Sequence, residues 1–144
     1  QFNTTIFIGP VYYQRLKHMV KDKVHARSTG RVNNLTRQSV EGRTHNGGLR
    51  LGEMERDAII AHGMSGFLKE SFMNRSDLFR VFVGKESNSM VIANPDKDIY
   101  MYDNEYLNEE EVDEVQIPYA MKLLAQELIS MGVDIRLKTE EYNI

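Results

Sequence analysis

A basic, glycine-containing segment in the first third of the chain has the residue types that bind phosphate groups. Gly47 and Gly48 lie between Arg43 and Arg50, just ahead of a segment with the pattern of a helix start. Glycine lets a backbone approach a ligand with its amides exposed, helix N-termini favour anions, and arginine forks match phosphate oxygens. The combination predicts a clamp for a phosphate backbone, although glycine pairs beside basic residues are also common in ordinary turns.

Metal and nucleophile chemistry find little support in the sequence. Cysteine is absent and the four histidines lack the HExxH spacing, which argues against a zinc site or a thiol nucleophile. Residues 63–66 miss the G-x-S-x-G nucleophile elbow by one position. Glu53 and Asp57 share a helix face, but acids near a helix start are ordinary partners of the helix dipole.

The chain of 144 residues has a net charge of −3, which hides two oppositely charged regions. Residues 1–50 contain nine basic and two acidic residues, a net charge of +7, whereas residues 95–115 carry −8. This asymmetry favours a polyanion-facing part and a solvated or partner-facing part, with two ordinary solvated surfaces as the alternative. No apolar run approaches the ~20 residues that span a bilayer, so no membrane partner is expected.

Hydrophobic spacing predicts the elements around the basic segment. Residues 4–8 are β-rich and predict a strand, and residues 31–50 lack a period and predict a long binding loop. Between them, apolar side chains spaced three and four apart predict one helix with its basic residues facing outward. These side chains are Tyr13, Leu16, Val20 and Val24.

The second half of the chain predicts a mixture of helices and short strands, and hence an α+β fold. A helix with a narrow seam is predicted from Met54 to Phe72; its Gly63 and Gly66 indicate close approach of another backbone, or a break at Gly63. The acidic block is expected to be solvated, with too few apolar groups to fold alone. The remaining predictions are strands at 78–83, 90–93 and 99–102, a helix from Ile117 to Met131 that ends at Gly132, and a terminal strand at Ile135–Leu137.

Several long runs of residues have an order that is specific to one family. They are YYQRLKHMV at 12–20, KVHARSTG at 23–30, LTRQSVEGRTHNGGLRLGEMERD at 35–57 and IPYAMKLLAQEL at 117–128. In these runs the chain resembles the C-terminal part of the second-largest subunit of multisubunit DNA-directed RNA polymerases. The residue order in these runs is more similar to the eukaryotic, archaeal and large-DNA-virus branch of the family than to the bacterial branch.

The resemblance implies three parts. Residues 1–48 would be the C-terminal part of the hybrid-binding domain, with a switch loop at 40–50 that contacts nucleic acid. Residues 49–73 would be the anchor helix, and residues 74–144 the clamp part, with a small β hairpin or sheet, an acidic segment and a C-terminal helix. The implied function is to hold the DNA template and the RNA–DNA hybrid and to tie the subunit to the largest subunit.

The residues that the resemblance assigns to nucleic-acid binding are mostly basic or polar. Lys23, Arg43 and Arg50 are the strongest candidates for phosphate or hybrid contact, while Lys23 or Arg27 could instead pair with a neighbouring carboxylate. Valine at Gly47 or Gly48 is expected to impair transcription more than folding. The full set is Lys17, Lys23, His25, Arg27, Gln38, Arg43, Gly47, Gly48 and Arg50.

Catalysis and metal binding are expected outside this chain. The whole particle would be a nucleotidyltransferase whose Mg²⁺ is held by carboxylates of the largest subunit, so no catalytic residue is expected here. Relatives commonly carry two Cys-x-x-Cys pairs in the clamp part, but residues 81–104 contain no cysteine, so zinc is not expected and a divergent, for example viral, polymerase is indicated. Packing and extra docking against a partner would replace the metal. The packing candidates are Phe82, Val91, Ile92, Ile99 and Tyr100.

Two other functions stay open at this point. A stand-alone nucleic-acid-binding module would bind DNA or RNA as a monomer, and a purely structural interaction protein would use only its helix seams. The location would be the nucleus for a cellular polymerase, and the cytoplasm or virion for one from a large DNA virus.

Overall fold

The computed structural model describes residues 1–139, and its regular structure is concentrated after residue 52. Before that point the helical turns are α1 (Val20–Lys23) and a 3-10 turn at Arg43–His45. Two short helices and a π-helical stretch then lead into the sheets. Over residues 1–139 the helices are all too short or too polar to cross a membrane. These elements are α2 (Glu53–Ala61), α3 (Ser65–Lys69) and the π-helical stretch Glu70–Asp77.

Five short strands within residues 1–139 form two antiparallel sheets. The first sheet pairs β1 with β5, and the second is a three-stranded meander in the order β2, β3, β4. The C-terminal helix α4 follows β5 directly, so the fold is α+β, as predicted. The bounds are β1 (Leu78–Gly84), β2 (Ile92–Asn94), β3 (Ile99–Tyr102), β4 (Glu105–Leu107), β5 (Val112–Pro118) and α4 (Tyr119–Ser130).

The small hydrophobic core lies on one face of the β1–β5 sheet. Side chains alternate across a strand, so Val81 and Val83 share a face, and Ile117 faces them from β5. Val83 is fully buried. Half-buried apolar side chains complete the cluster, namely Phe79, Met90, Val115 and Leu137.

The contact between Phe82 and Tyr100 holds the meander against the other face of β1. Their ring centroids are 5.4 Å apart, and Tyr100 is buried. Burial, followed by the charge of Glu109, raises the pKa of the Tyr100 hydroxyl above its usual value. Of the predicted packing residues, Tyr100 is buried and Phe82 and Val91 are half-buried, whereas Ile92 is largely exposed and Ile99 is 37% exposed.

The two elements predicted before residue 25 are wrong. The structure has no strand at 4–8, and of the helix predicted over 13–24 it forms only the single turn of α1. Every side chain in residues 1–24 is exposed, so the apolar stripe packs against nothing within residues 1–139. An amphipathic helix depends on such packing for most of its stability, which explains the failure.

The helix predicted from Met54 to Phe72 is interrupted at Gly63. Its φ of +69° lies in the left-handed region, and α2 and α3 flank it. This is the break that the sequence left open as an alternative. The close approach of another backbone is absent, since a Cβ added at Gly63 or Gly66 would meet no atom within 4 Å in the described part of the chain.

The acidic block is more ordered than predicted. It contains β4 and most of β5, in which Val115 and Ile117 face the core cluster while Glu114 lies on the opposite face of the strand. An ion pair of 3.4 Å between Arg80 and Glu114 spans the two strands. The predicted helix after Ile117 is confirmed as α4, and Gly132 follows it with a φ of +88°.

No terminal strand forms at 135–137, although the described residues reach position 139. The backbone N–H of Leu137 donates one hydrogen bond of 2.8 Å to the carbonyl oxygen of Asn88. The segment is therefore tethered to the turn after β1 without pairing along its length.

Candidate nucleic-acid interface

The structure brings two distant basic segments, 21–27 and 43–50, into contact. Three side chains join them, each through a backbone carbonyl about twenty residues away in sequence. The His25 ring Nε2 donates to the Gly47 oxygen at 2.6 Å, Arg27 Nη1 to the Asn46 oxygen at 2.6 Å, and Arg43 Nη2 to the Lys21 oxygen at 3.3 Å. The two basic segments therefore share one surface.

The loop at 40–50 is an internally bonded turn. The N–H of Gly47 donates to the Gly42 oxygen at 2.9 Å, and the N–H of Gly48 donates to the Val40 oxygen at 3.0 Å. Gly42, with a φ of +97°, opens the turn, and Asn46 at φ +54° closes the 3-10 turn that carries Arg43. These backbone hydrogen bonds close the frame of the loop, residues 40–48, and so fix the position of the backbone that carries Arg43.

Gly47 and Gly48 have a structural explanation that the sequence did not show. A Cβ at Gly47 would collide with the Val40 oxygen and would lie 2.7 Å from the Gly42 oxygen. A Cβ at Gly48 would lie 2.8 Å from the Ser39 Cβ. Both amides already have acceptors in the chain, so the expectation that they are exposed for a phosphate does not fit this conformation.

Three of the nine candidate side chains project freely. Lys17, Lys23 and Arg50 are exposed, and their side chains make no hydrogen bond or ion pair with any other described residue. Lys23 therefore has no carboxylate partner there, and Arg27 bonds to a backbone carbonyl instead. A donor without a protein partner is available to a ligand.

An open cleft extends the basic surface from the loop to the π-helical stretch. Its volume is about 770 Å³, and Arg27, Arg50 and Arg75 line it together with Thr29 and Asn74. Arg75 also forms an ion pair of 3.0 Å with Glu70. The sequence analysis missed Arg75, because only the fold brings it beside Arg50.

Gln38 anchors the loop through a buried carboxylate. Gln38 Nε2 donates to Asp77 Oδ2 at 3.4 Å, and the N–H of Ala120 donates to the same oxygen at 2.9 Å. Asp77 is 5% exposed and so supplies an acceptor for an otherwise unpaired amide in the first turn of α4. Gln38 thus has an internal role that no local sequence signal indicated.

Arg37, also missed by the sequence analysis, fixes the same turn to the C-terminal helix. Its guanidinium carbon lies 4.1 Å from the ring centroid of Tyr119 and 5.3 Å from that of Phe79. These distances are within the range of cation–π attraction. Arg37 has a φ of +55°, an unusual conformation for a side-chain-bearing residue, which the surrounding contacts hold in place.

No cluster that could hold a metal ion, with three or more His, Cys, Asp or Glu residues, occurs within residues 1–139. The turn after β1 lies within residues 81–104, which contain no cysteine, and it is closed by hydrogen bonds. Gly84 N–H donates to the Ser89 oxygen at 3.0 Å, Asn88 N–H to the Gly84 oxygen at 2.8 Å, and Lys85 Nζ to the Glu110 oxygen at 2.7 Å. Hydroxyl and amide side chains in this turn are poor zinc ligands, and the absence of zinc stays a prediction.

Comparison with known proteins matches nearly the whole chain to one family. The family model described as RNA polymerase Rpb2, domain 7, matches residues 47–140, and the one described as RNA polymerase Rpb2, domain 6, matches residues 1–45. Among the similar proteins is the DNA-directed RNA polymerase II subunit RPB2 of Meyerozyma guilliermondii, 53% identical over 140 residues. That alignment covers 96% of this chain and 11% of the relative.

More distant polymerases also match. The DNA-directed RNA polymerase III subunit RPC2 of Saccharomyces cerevisiae is 48% identical over 94% of this chain and 11% of its own length. DNA-directed RNA polymerase subunit 2 of Acanthamoeba polyphaga mimivirus is 45% identical over the same two shares. The chain thus spans about a tenth of the length of these curated relatives. It belongs to the family of second-largest RNA polymerase subunits, the Rpb2 family, and corresponds to a C-terminal portion of such a subunit.

Proposed function

We propose that this chain is the part of a DNA-directed RNA polymerase that holds the template and the RNA–DNA hybrid and ties its subunit to the largest subunit. The observation that carries the proposal is the junction of segments 21–27 and 43–50, where His25, Arg27 and Arg43 join two basic stretches into one surface. A continuous basic surface is the electrostatic footprint of a nucleic-acid interface.

Phosphate recognition would use donors that the protein itself leaves open. Arginine has five N–H donors, and Arg27 and Arg43 each use only one of them within the described residues. Arg50 and Lys23 use none there. Together with Lys17 these cations would neutralise phosphates, which positions nucleic acid without reading its sequence.

The connection to other polypeptide would use the apolar side chains that the chain leaves exposed. On the helices these include Met54, at 85% exposure, and Leu124, at 52%. Residues 1–24 add a second stretch whose apolar side chains, among them Phe7 and Tyr12, are exposed, which suits the remainder of the second-largest subunit. Contiguous exposed apolar surface commonly marks a protein interface. The largest subunit would contribute the catalytic carboxylates and Mg²⁺, so this chain would carry no catalytic residue.

The test is the salt dependence of nucleic-acid binding by the assembled polymerase. The double variant Arg43→Gln, Arg50→Gln is built into the full-length subunit, and binding to a template–hybrid scaffold is measured from 0.05 to 0.5 M salt. Loss of two phosphate contacts should make the slope of log K against log salt shallower by roughly 1.4 to 1.8. Lys97→Gln with Arg136→Gln removes the same charge elsewhere and should leave the slope unchanged. A wild-type slope in the Arg43, Arg50 variant would contradict the proposed contacts.

A further inference from the structure

The three-stranded meander has an outer face that the chain itself does not cover. In this register Ile92, Met101 and Tyr106 lie side by side across the three strands. The alternate row contains Tyr100, which turns inward onto Phe82. The outer sheet face therefore consists of the first row together with Ile99, which lies two residues before Met101 on β3, and with the polar Asn94, which pairs with Ile99 from β2.

Most side chains of the outer sheet face are apolar, and three of these are exposed while Met101 is half-buried. Ile92 is 71% exposed, Tyr106 is 75% exposed and Ile99 is 37% exposed. Because Ile92, Met101 and Tyr106 are adjacent across the three strands, they form a contiguous apolar surface and differ from apolar residues scattered singly over a protein surface. The chain nevertheless leaves it without a partner among the residues that the structure describes.

Carboxylates surround this apolar surface. Asp96 and Asp98 lie in the turn between β2 and β3, Asp103 lies in the turn between β3 and β4, and Glu109 and Glu110 follow β4. Lys97 is the one basic residue of the sequence between positions 95 and 115, and Lys85 reaches the end of this stretch from the turn after β1, where its Nζ lies 2.7 Å from the Glu110 oxygen. Nucleic acid and an anionic membrane would both be repelled by such a rim, whereas a cationic polypeptide would be attracted.

We infer that the outer sheet face docks a basic, apolar polypeptide segment from another subunit of the polymerase. Apolar side chains of that segment would cover Ile92, Ile99 and Tyr106, and flanking Lys or Arg side chains would meet the carboxylates of the rim. The inference rests on the proposed assembly with other subunits, and it is independent of the nucleic-acid contacts of Arg43 and Arg50.

Photo-crosslinking within the assembled polymerase tests this docking. p-Benzoylphenylalanine is placed at position 106 of the full-length subunit, where the exposed tyrosine can be replaced without disturbing the core. The matched control has the same group at position 102, since Tyr102 lies on the opposite face of the same sheet. We expect the position-106 crosslink to map to a segment of another subunit that has more Lys and Arg than Asp and Glu.

Charge reversal on the rim provides the second measurement. Asp96→Lys with Asp103→Lys should lower the position-106 crosslink yield by about fivefold or more, because repulsion replaces attraction at the rim. An unchanged crosslink yield in the double variant would overturn the inference. So would a crosslink to nucleic acid, to a second copy of this chain, or to no polypeptide above the position-102 control. If nucleic-acid binding by the same preparation keeps the wild-type slope of log K against log salt, the proposed nucleic-acid function stands even though the docking inference fails.

Discussion

Replacing Gly47 by alanine should loosen the basic loop through backbone crowding alone. The added Cβ would collide with the Val40 oxygen and would lie 2.7 Å from the Gly42 oxygen and 2.8 Å from the Glu41 carbonyl carbon. All three obstacles are backbone atoms, which cannot swing aside as a side chain can. Overpacking of this kind costs about 1–3 kcal/mol, so the turn must open or shift.

The assay is hydrogen exchange at the Gly48 amide in the assembled polymerase. This N–H donates to the Val40 oxygen at 3.0 Å, so its protection reports whether the frame of the loop is closed. A loss of about 1–3 kcal/mol corresponds to exchange that is roughly 5- to 150-fold faster. The same opening would separate His25 from the Gly47 oxygen, so the basic surface would lose one of its three links.

Gly66→Ala is the matched control. Gly66 lies within α3, and its added Cβ meets nothing within 4 Å among the described residues, so alanine should stabilise that helix by about 0.5–1 kcal/mol. Unchanged exchange at Gly48 in Gly47→Ala would refute the crowding argument. The contrast also revises the expectation that a larger residue at Gly47 would act mainly on nucleic-acid contact, because its first effect should be on the loop itself.

Three further predictions concern the contacts of Asp77, Arg37 and Tyr100. Asp77→Ala leaves the Ala120 amide without its 2.9 Å acceptor, and the first turn of α4 should exchange about 5- to 150-fold faster, a loss of about 1–3 kcal/mol; unchanged exchange would mean that water substitutes fully. Arg37→Gly and Arg37→Ala both lose the contact with Tyr119, but only glycine relieves the φ of +55°; the glycine variant should therefore be about 1 kcal/mol more stable in urea unfolding, and equal midpoints would contradict the strain. The pKa of the Tyr100 hydroxyl is raised in the folded protein, so its stabilising contribution is fully present below the unfolded pKa of about 10 and is lost as pH rises through the folded pKa. Tyr100→Phe should therefore flatten the decline of the urea-unfolding midpoint at high pH, and parallel curves for the two proteins would argue against burial of Tyr100 as the cause of the decline.

Elements with a strong local pattern could be predicted from the sequence. β1, β3 and α4 follow from short strand-like runs or helical spacing bounded by turn residues such as Gly84, Pro95 and Gly132, and each also packs onto the core or the neighbouring sheet. The same patterning failed before residue 25, where the stripe has no packing partner in the described chain. Strand β5 was missed for the opposite reason, since its pairing with β1 outweighs the acidic composition.

The sequence by itself determined the family and the concentration of basic residues near Arg43 and Arg50, because both are properties of residue order and composition. Only the tertiary structure decided how those residues are held. The contacts of His25 with Gly47 and of Asp77 with Ala120 join residues 22 and 43 positions apart. Such pairings depend on the path of the whole chain, whereas periodicity reports only a local preference for helix or strand. For the same reason, the inward packing of Gly47 became visible only once Val40 and Gly42 were placed around it.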